Sequence, residues 1–335
     1  INPVHTYTDI GYHTVSLTTT TNGVALTETK IDYILILPVK PIPYTLADGG
    51  NFDVNTTDFL LLIGNNTQFE LGVSGVTGKD GTASGSNAWV TGLTESQYQD
   101  NSSSKLRSPL FEFANQSQII TLEFKAKYRF EDNWDGFIMN YSTDKGVTWT
   151  KLNNAVENGW YNQISDADAV FGASVPIFSG STNGDFKIFS TDVTFLTGEE
   201  VIFEFDFRSD ANEVEVGLAL DDFQILLSDP EPIAASFDIQ TGTGCAGQQV
   251  IFTNTSTGTI SEYAWDFGAY ASPTTATGEG PHTVVYTASG SSTVSLIASN
   301  DIGQSDSEIK SQAILTGDSH SPSFAEEADG DSNTA

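Results

Sequence analysis

The segment from Ile120 to Phe130, ITLEFKAKYRF, alternates without a break. Ile120, Leu122, Phe124, Ala126, Tyr128 and Phe130 fall on one face of an extended chain. Thr121, Glu123, Lys125, Lys127 and Arg129 fall on the other. Side chains in a strand repeat every two residues, so the pattern describes a strand with one buried and one wetted face, and a helix would scramble it. VIFEFDFRS repeats the arrangement with Val201, Phe203, Phe205 and Phe207 inward, and GFIMNYS and VEVGLALDDFQIL add two more such strands. No long segment carries apolar residues at helical spacing, and no apolar run approaches the ~18 residues of a membrane helix. The chain is therefore predicted to be all-β, its central part a two-sheet jelly-roll sandwich.

Composition narrows the function. Forty-four acidic residues oppose 13 basic ones, a formal charge of −31 over 335 residues. Such a surface repels nucleic acid and anionic membranes. It also offers oxygen ligands to hard cations, Ca²⁺ above all, although solubility in salty water would favour the same charge. The lone cysteine, Cys245, cannot form an intramolecular disulfide and opens an apolar strand, where a small buried hydrophobe is expected. The four histidines are scattered, and H-E-x-x-H, G-x-S-x-G, P-loop and dinucleotide fingerprints are all missing from the sequence. A non-enzymatic chain is expected.

The two ends repeat one another. Tyr7, Gly11, Thr14, Val15, Ser16 and Leu17 correspond at one offset to Tyr286, Gly290, Thr293, Val294, Ser295 and Leu296; one residue out of step, Lys30 and Ile34 match Lys310 and Ile314. Each copy reads as a turn at the glycine followed by a strand with Val and Leu inward. The second copy is preceded by VIFTNTS and YAWDFG and closes with H-T-x-x-Y…G…T-V-S-L. In these motifs it resembles the PKD domain, an immunoglobulin-like sandwich, which implies a core position for Trp265. Ala269-Tyr270 follow WDFG where the family usually has Asp-Gly, so a different turn is expected there.

The domain reading follows. Residues 1–37 are expected to be the C-terminal half of a PKD-like domain whose other strands lie upstream; 44–228 form the jelly roll; 233–316 form a PKD-like domain; 317–335 form an acidic linker. LPVKPIPY and SDPEPIAA, both rich in proline, bracket the jelly roll as joints.

Within the jelly roll, NAWVTGL, KLRSPLFEF, FEDNWDGFIMNYSTDKGVTWTKL, GWYN and GLALDDFQI occur in that order. Together they resemble the MAM-like, or choice-of-anchor J, module of large secreted proteins of Bacteroidota, over roughly residues 51–227. The resemblance implies an extracellular, cell-surface chain. Such modules stand beside PKD domains in adhesins, including those of gliding motility, and in secreted hydrolases and proteases. Partners would be surface polysaccharide or another surface protein. The alternative is an accessory carbohydrate- or substrate-binding region of a secreted enzyme.

The resemblance also implies a structural Ca²⁺ held between early and late strands. Asp221 and Asp222 are the late-strand candidates, with Glu70 and Asp80 on the early side. If the alternation of Leu218 and Leu220 continues, Asp222 points inward and Asp221 outward, and an inward carboxylate needs a cation or donors. An Asp at a bulge, accepting backbone N–H groups, is the competing reading. EDNWDGF supplies a second acidic cluster, Glu131, Asp132 and Asp135, on a connecting turn; it suits either Ca²⁺ or a plain Asp-Gly turn. Trp89, Trp134 and Trp160 would be sugar platforms if exposed and core if not. Finally, YSTDKGVTW has the S-x-D-x-G-x-T-W form of the Asp box of sialidase-type propellers, but occurs once, between two strands, and so predicts a hairpin with Asp144 bonding the turn.

Overall fold

Alternating apolar residues dictate strands, and strands with one apolar face must pair and stack. The computed structural model describes residues 4–115, 117–153, 155–156, 159–240 and 243–317, so the acidic tail expected at 317–335 falls almost wholly outside the described residues. Among those residues there is no α-helix, only strands and two short 3₁₀ turns. Among the described residues no helix is long and apolar enough to cross a membrane. The chain divides into two units, Ile1–Ser228 and Asp229–Ala335.

Besides the hairpin Gly11–Thr21/Val24–Ile36 and the short pair Gln163–Ile164/Pro176–Ile177, the first unit is a sandwich of two sheets. One runs Thr150–Lys151, Gly136–Ser142, Glu200–Arg208, Ser103–Glu112, with Val39–Pro41 and Leu60–Asn65 sharing the far side of the last strand. The other runs Lys187–Asp192, Ile119–Arg129, Gly217–Ser228, Ala88–Thr91, Phe69–Gly72. The inward set predicted for the central strand is the observed one: Ile120, Leu122, Phe124, Ala126, Tyr128 and Phe130 are all buried. Phe124 meets Phe137, Trp160, Phe178, Phe189 and Phe205, with ring centroids 5.1–6.2 Å apart. Each buried Phe contributes roughly 1.5–3 kcal/mol of apolar transfer free energy, so this aromatic layer is the main source of cohesion between the sheets.

Two expectations change. The stretch LPVKPIPY is not a free joint. Val39–Pro41 pairs in parallel with Leu110–Glu112, and Tyr44 bridges Ile225, because their backbone groups complete the edge of each sheet. On Glu200–Arg208 the outward residues Glu204 and Asp206 are as buried as the phenylalanines between them. Lys105 and Arg107 lie over Glu204, and Lys105 and Arg208 over Asp206, so cations rather than water cover that face.

The Asp-box segment is a hairpin, as its single occurrence predicted. Thr150↔Tyr141 and Lys151↔Asn140 pair across it. Asp144 accepts hydrogen bonds from the Thr148 amide and hydroxyl and from the Ser142 hydroxyl, and Gly146 takes φ +85°. Trp149 donates to the Gly146 carbonyl and packs under the Arg107 guanidinium, 4.6 Å from its centroid.

The second unit is a smaller sandwich. A four-stranded sheet (Phe237–Gln240, Gln249–Asn254, His282–Tyr286, Ala271–Ser272) faces a five-stranded one (Thr243–Cys245, Ser305–Gly317, Gly290–Ser299, Glu262–Asp266, Thr275–Thr277). Trp265 is buried in its core, against Phe237 and Phe267. The Tyr286 hydroxyl donates to the Phe267 carbonyl at 2.8 Å. After WDFG, Tyr270 sits at φ +63°, the altered turn its sequence implied. Cys245 corrects the sequence reading: it is exposed, because it ends the edge strand Thr243–Cys245 rather than entering the core.

Candidate metal centre

Strand Ile119–Arg129 runs out at Phe130, and the next strand begins at Gly136. The five residues between them, EDNWD, form a tight turn: the Glu131 carbonyl accepts from the amides of Trp134 and Asp135, and Asn133 takes φ +67°. Ser179 pins it from across the fold, its hydroxyl bonding the carbonyls of Glu131 and Asp135 at 3.0 and 2.7 Å. Gly136, at φ +154°, lets the chain pass the Phe178 carbonyl, which a Cβ would meet at 2.1 Å.

This turn brings Glu131 and Asp135 against Asp210, which follows strand Glu200–Arg208. One carboxylate oxygen from each lies within 4.8 Å of the other two, and among the described residues they are the one such triad of acidic, histidine or cysteine side chains. Asp135 is fully buried and accepts from the Tyr98 hydroxyl at 2.7 Å and the Asp210 amide at 2.8 Å. Glu131 Oε2 is buried with no hydrogen-bond partner. Burial, reinforced by the charges of Asp135, Asp210 and Glu213, pushes the Glu131 carboxyl up to about 7. Burial likewise pushes Asp135 up to about 6, against the pull of its two hydrogen-bond donors. The pair is therefore uncomfortable as anions without a compensating charge.

The donor set fits a hard divalent cation. Ca²⁺ takes six to eight oxygens at about 2.3–2.6 Å, and three carboxylates with one unused buried oxygen provide the anionic part of such a shell. Beside them lies an open polar depression of about 430 Å³, lined by Arg129, Glu131, Asp132, Trp134, Glu213 and Glu215 among others. Trp134 is half-buried there, while Trp89 and Trp160 are buried in the core.

Of the sequence candidates EDNWDGF named, Glu131 and Asp135 converge. Asp132 does not: its carboxylate is exposed and meets Gln163 at 3.3 Å. Asp210 was missed because it stands about 75 positions away in a loop, SDAN, with no motif of its own. Only the antiparallel pairing of Gly136–Ser142 with Glu200–Arg208 places it at this turn.

Glu70, Asp80, Asp221 and Asp222 are not gathered into one cluster. Glu70 accepts from the Leu93 amide, and Asp80 pairs with Lys127 at 2.8 Å. Asp222 lies at φ +52° within a bulge between Asp221 and Gln224, which breaks the alternation and buries both aspartates. Asp222 pairs with Lys125 at 2.8 Å and accepts from the Ser84 hydroxyl. Asp221 accepts backbone N–H groups from Ala83, Ser84 and Asp222, the bulge arrangement weighed against the metal. Close to Glu70 and Glu95 the positive charge is Lys79, wholly buried, donating to the carbonyls of Thr91 and Gly92 at 2.7 and 2.8 Å.

Residues 229–314 match the family model described as the PKD domain. The second unit is a PKD domain. No curated protein matches the chain. Solved structures to which it is similar include the Endo-D glycoside hydrolase domain of Streptococcus pneumoniae R6, 10% identical with a TM-score of 0.29, covering 77% of this chain. The β-1,2-glucanase of Parabacteroides distasonis is 10% identical over 76% of this chain, TM-score 0.28. The chain spans 38% and 36% of those two proteins respectively. The amphioxus IgVJ-C2 molecule is 12% identical, TM-score 0.23, covering 61% of this chain and 99% of its own.

Proposed function

We propose that the chain is a non-catalytic segment of an extracellular multidomain surface protein, in which the PKD domain is a spacer and the first unit a Ca²⁺-binding module that recognises a ligand in adhesion. The observation supporting this is the convergence of Glu131, Asp135 and Asp210 beside a depression edged by Trp134. A bound cation would neutralise the carboxylates and fix the EDNWD turn, and with it the orientation of the Trp134 ring. A half-exposed indole beside polar groups suits the apolar face of a sugar ring, which makes surface polysaccharide the favoured ligand class. The paired carboxylates do not call for glycosidase chemistry in this reading, because each is committed to the turn or to the cation.

The test is binding of the full chain to a panel of immobilised polysaccharides with 2 mM-scale Ca²⁺ or with EGTA. Saturable binding that disappears both in EGTA and in Trp134→Ala is expected. Binding indifferent to both changes would refute the assignment of this site.

A further inference from the structure

The N-terminal hairpin and the last hairpin of the PKD domain are the same object at the level of register. Gly11–Thr21 pairs with Val24–Ile36 from Gly11↔Ile36, slips between His13 and Val15, and resumes at Val15↔Lys30. Gly290–Ser299 pairs with Ser305–Gly317 from Gly290↔Thr316, slips between Ser292 and Val294, and resumes at Val294↔Lys310. The bulged residues match: Asp32 at φ +49° and Gln312 at φ +51°, their amides bonding the hydroxyls of Thr14 and Thr293. A bulge occurring at the same place in both copies is a strong geometric signature, since bulges re-aim every side chain beyond them.

In the PKD domain the inward face of this hairpin, Val294, Leu296 and Ile314, is fully buried. Its counterparts are Val15, Leu17 and Ile34, the same residue types, yet Leu17 is 60% exposed and the other two are only partly covered. A second pair of identical residues shows what should cover them. Glu308 accepts from the Phe237 amide at 2.7 Å, while Lys310 donates to the Phe237 carbonyl and lies 4.3 Å from the centroid of its ring. Together they clasp the first strand of the domain. Glu28 and Lys30 occupy the same register positions, both exposed.

We infer that residues 11–36 are the closing hairpin of a second PKD-type sandwich, and that its open face is a docking surface for the complementary half, including a strand with an aromatic residue at the position of Phe237. The source is the same polypeptide, ahead of the hairpin, because in the PKD domain the half comprising Phe237–Tyr286 runs directly into the hairpin that completes it. Neither polysaccharide nor cation figures in this surface, so it stands independently of the function proposed above.

The test replaces residues 290–316 by residues 11–36 within the full chain and follows amide hydrogen exchange of the acceptor half. Expected are protection factors at Phe237–Gln240 and Glu262–Asp266 within about tenfold of the unaltered chain, falling at least a hundredfold when the transplanted hairpin carries Leu17→Asp or Glu28→Ala with Lys30→Ala. Loss of protection in the plain hybrid would overturn the inference. In the unaltered chain, sedimentation should report a monomer over the micromolar range. A dimer that Leu17→Asp dissociates would make a second copy the occupant and would equally overturn it.

Discussion

Three carboxylate oxygens within 4.8 Å of one another set a clear expectation for Ca²⁺. Two unit charges at that spacing repel by about 3–4 kcal/mol at an effective dielectric near 20, so all three groups cannot stay ionised without help. The perturbation is Asp210→Asn. Its backbone amide still bonds Asp135, and an amide oxygen can still accept from the Asn212 amide as Asp210 Oδ1 does at 2.8 Å. The substitution therefore removes charge and little else. Without Ca²⁺ the variant should melt at or above the parental temperature. With free Ca²⁺ at a hundred times Kd, linkage adds about 2.7 kcal/mol to the parent, or roughly 5–11 °C for a unit of about 200 residues. Asp210→Asn should lose most of that increment. Scanning calorimetry of both proteins in EGTA and in Ca²⁺ reads all four values. An unshifted parent, or a variant that responds as fully as the parent, would rule out a cation held by Asp210.

Other consequences are independent of the cation. Burial raises Asp221 to about 7 from the ordinary aspartate value of 3.8, so its contribution is fully present below about pH 4 and lost as pH rises through about 7. Unfolding of the first unit by guanidinium, measured in saturating Ca²⁺, should weaken over that window by up to about 4 kcal/mol at 1.36 kcal/mol per unit, and Asp221→Ala should flatten the profile. Gly50→Ala places a Cβ 2.0 Å from the Phe223 carbonyl oxygen, a backbone atom that cannot swing away; a loss of at least about 2–3 kcal/mol in the same assay is expected. Glu204→Leu strips Lys105 and Arg107 of a carboxylate that is fully buried. Lys105 keeps Asp206 and Arg107 keeps the face of the Trp149 ring, so the cost should be about 2–3 kcal/mol, below the 3–5 usual for a wholly buried pair. Asp144→Ala removes the acceptor of the Thr148 amide, and amide exchange there should accelerate while the strands beyond the turn keep their protection.

The fold was legible wherever the period-two pattern met a buried face. Ile119–Arg129 could be read residue by residue because every second side chain is apolar. Glu200–Arg208 could be read only on its phenylalanine face, since the burial of Glu204 and Asp206 depends on Lys105, Arg107 and Arg208 from other positions. The single Asp box told its turn correctly, since a hairpin is local chemistry. Asp221 and Asp222 were placed on the right strand, but the simple alternation that put Asp221 outward and Asp222 inward gives way to a bulge that buries both, and a bulge is a pairing event that one strand's sequence does not display. Half of the candidate site was visible in EDNWD. The rest, Asp210 and Tyr98, arrives from segments that sheet pairing alone brings close.

The distribution of charge explains why this one place stands out. Six acidic side chains are buried among the described residues: Asp58, Asp135, Glu204, Asp206, Asp221 and Asp222. Four of them have a cation in contact: Lys40 at Asp58, Lys105 and Arg107 at Glu204, Lys105 and Arg208 at Asp206, Lys125 at Asp222. Asp221 instead accepts three backbone N–H groups, which offset part of the burial that raises its carboxyl. A chain with only 13 basic residues thus places several of them where carboxylates are desolvated. Asp135 departs from that rule. It lies beside two further carboxylates, receives one hydroxyl and one amide, and shares its surroundings with the unpartnered Glu131 oxygen. In a fold that otherwise neutralises or caps its buried acids from within, a divalent cation from solution is the charge that would bring this corner into line with the rest.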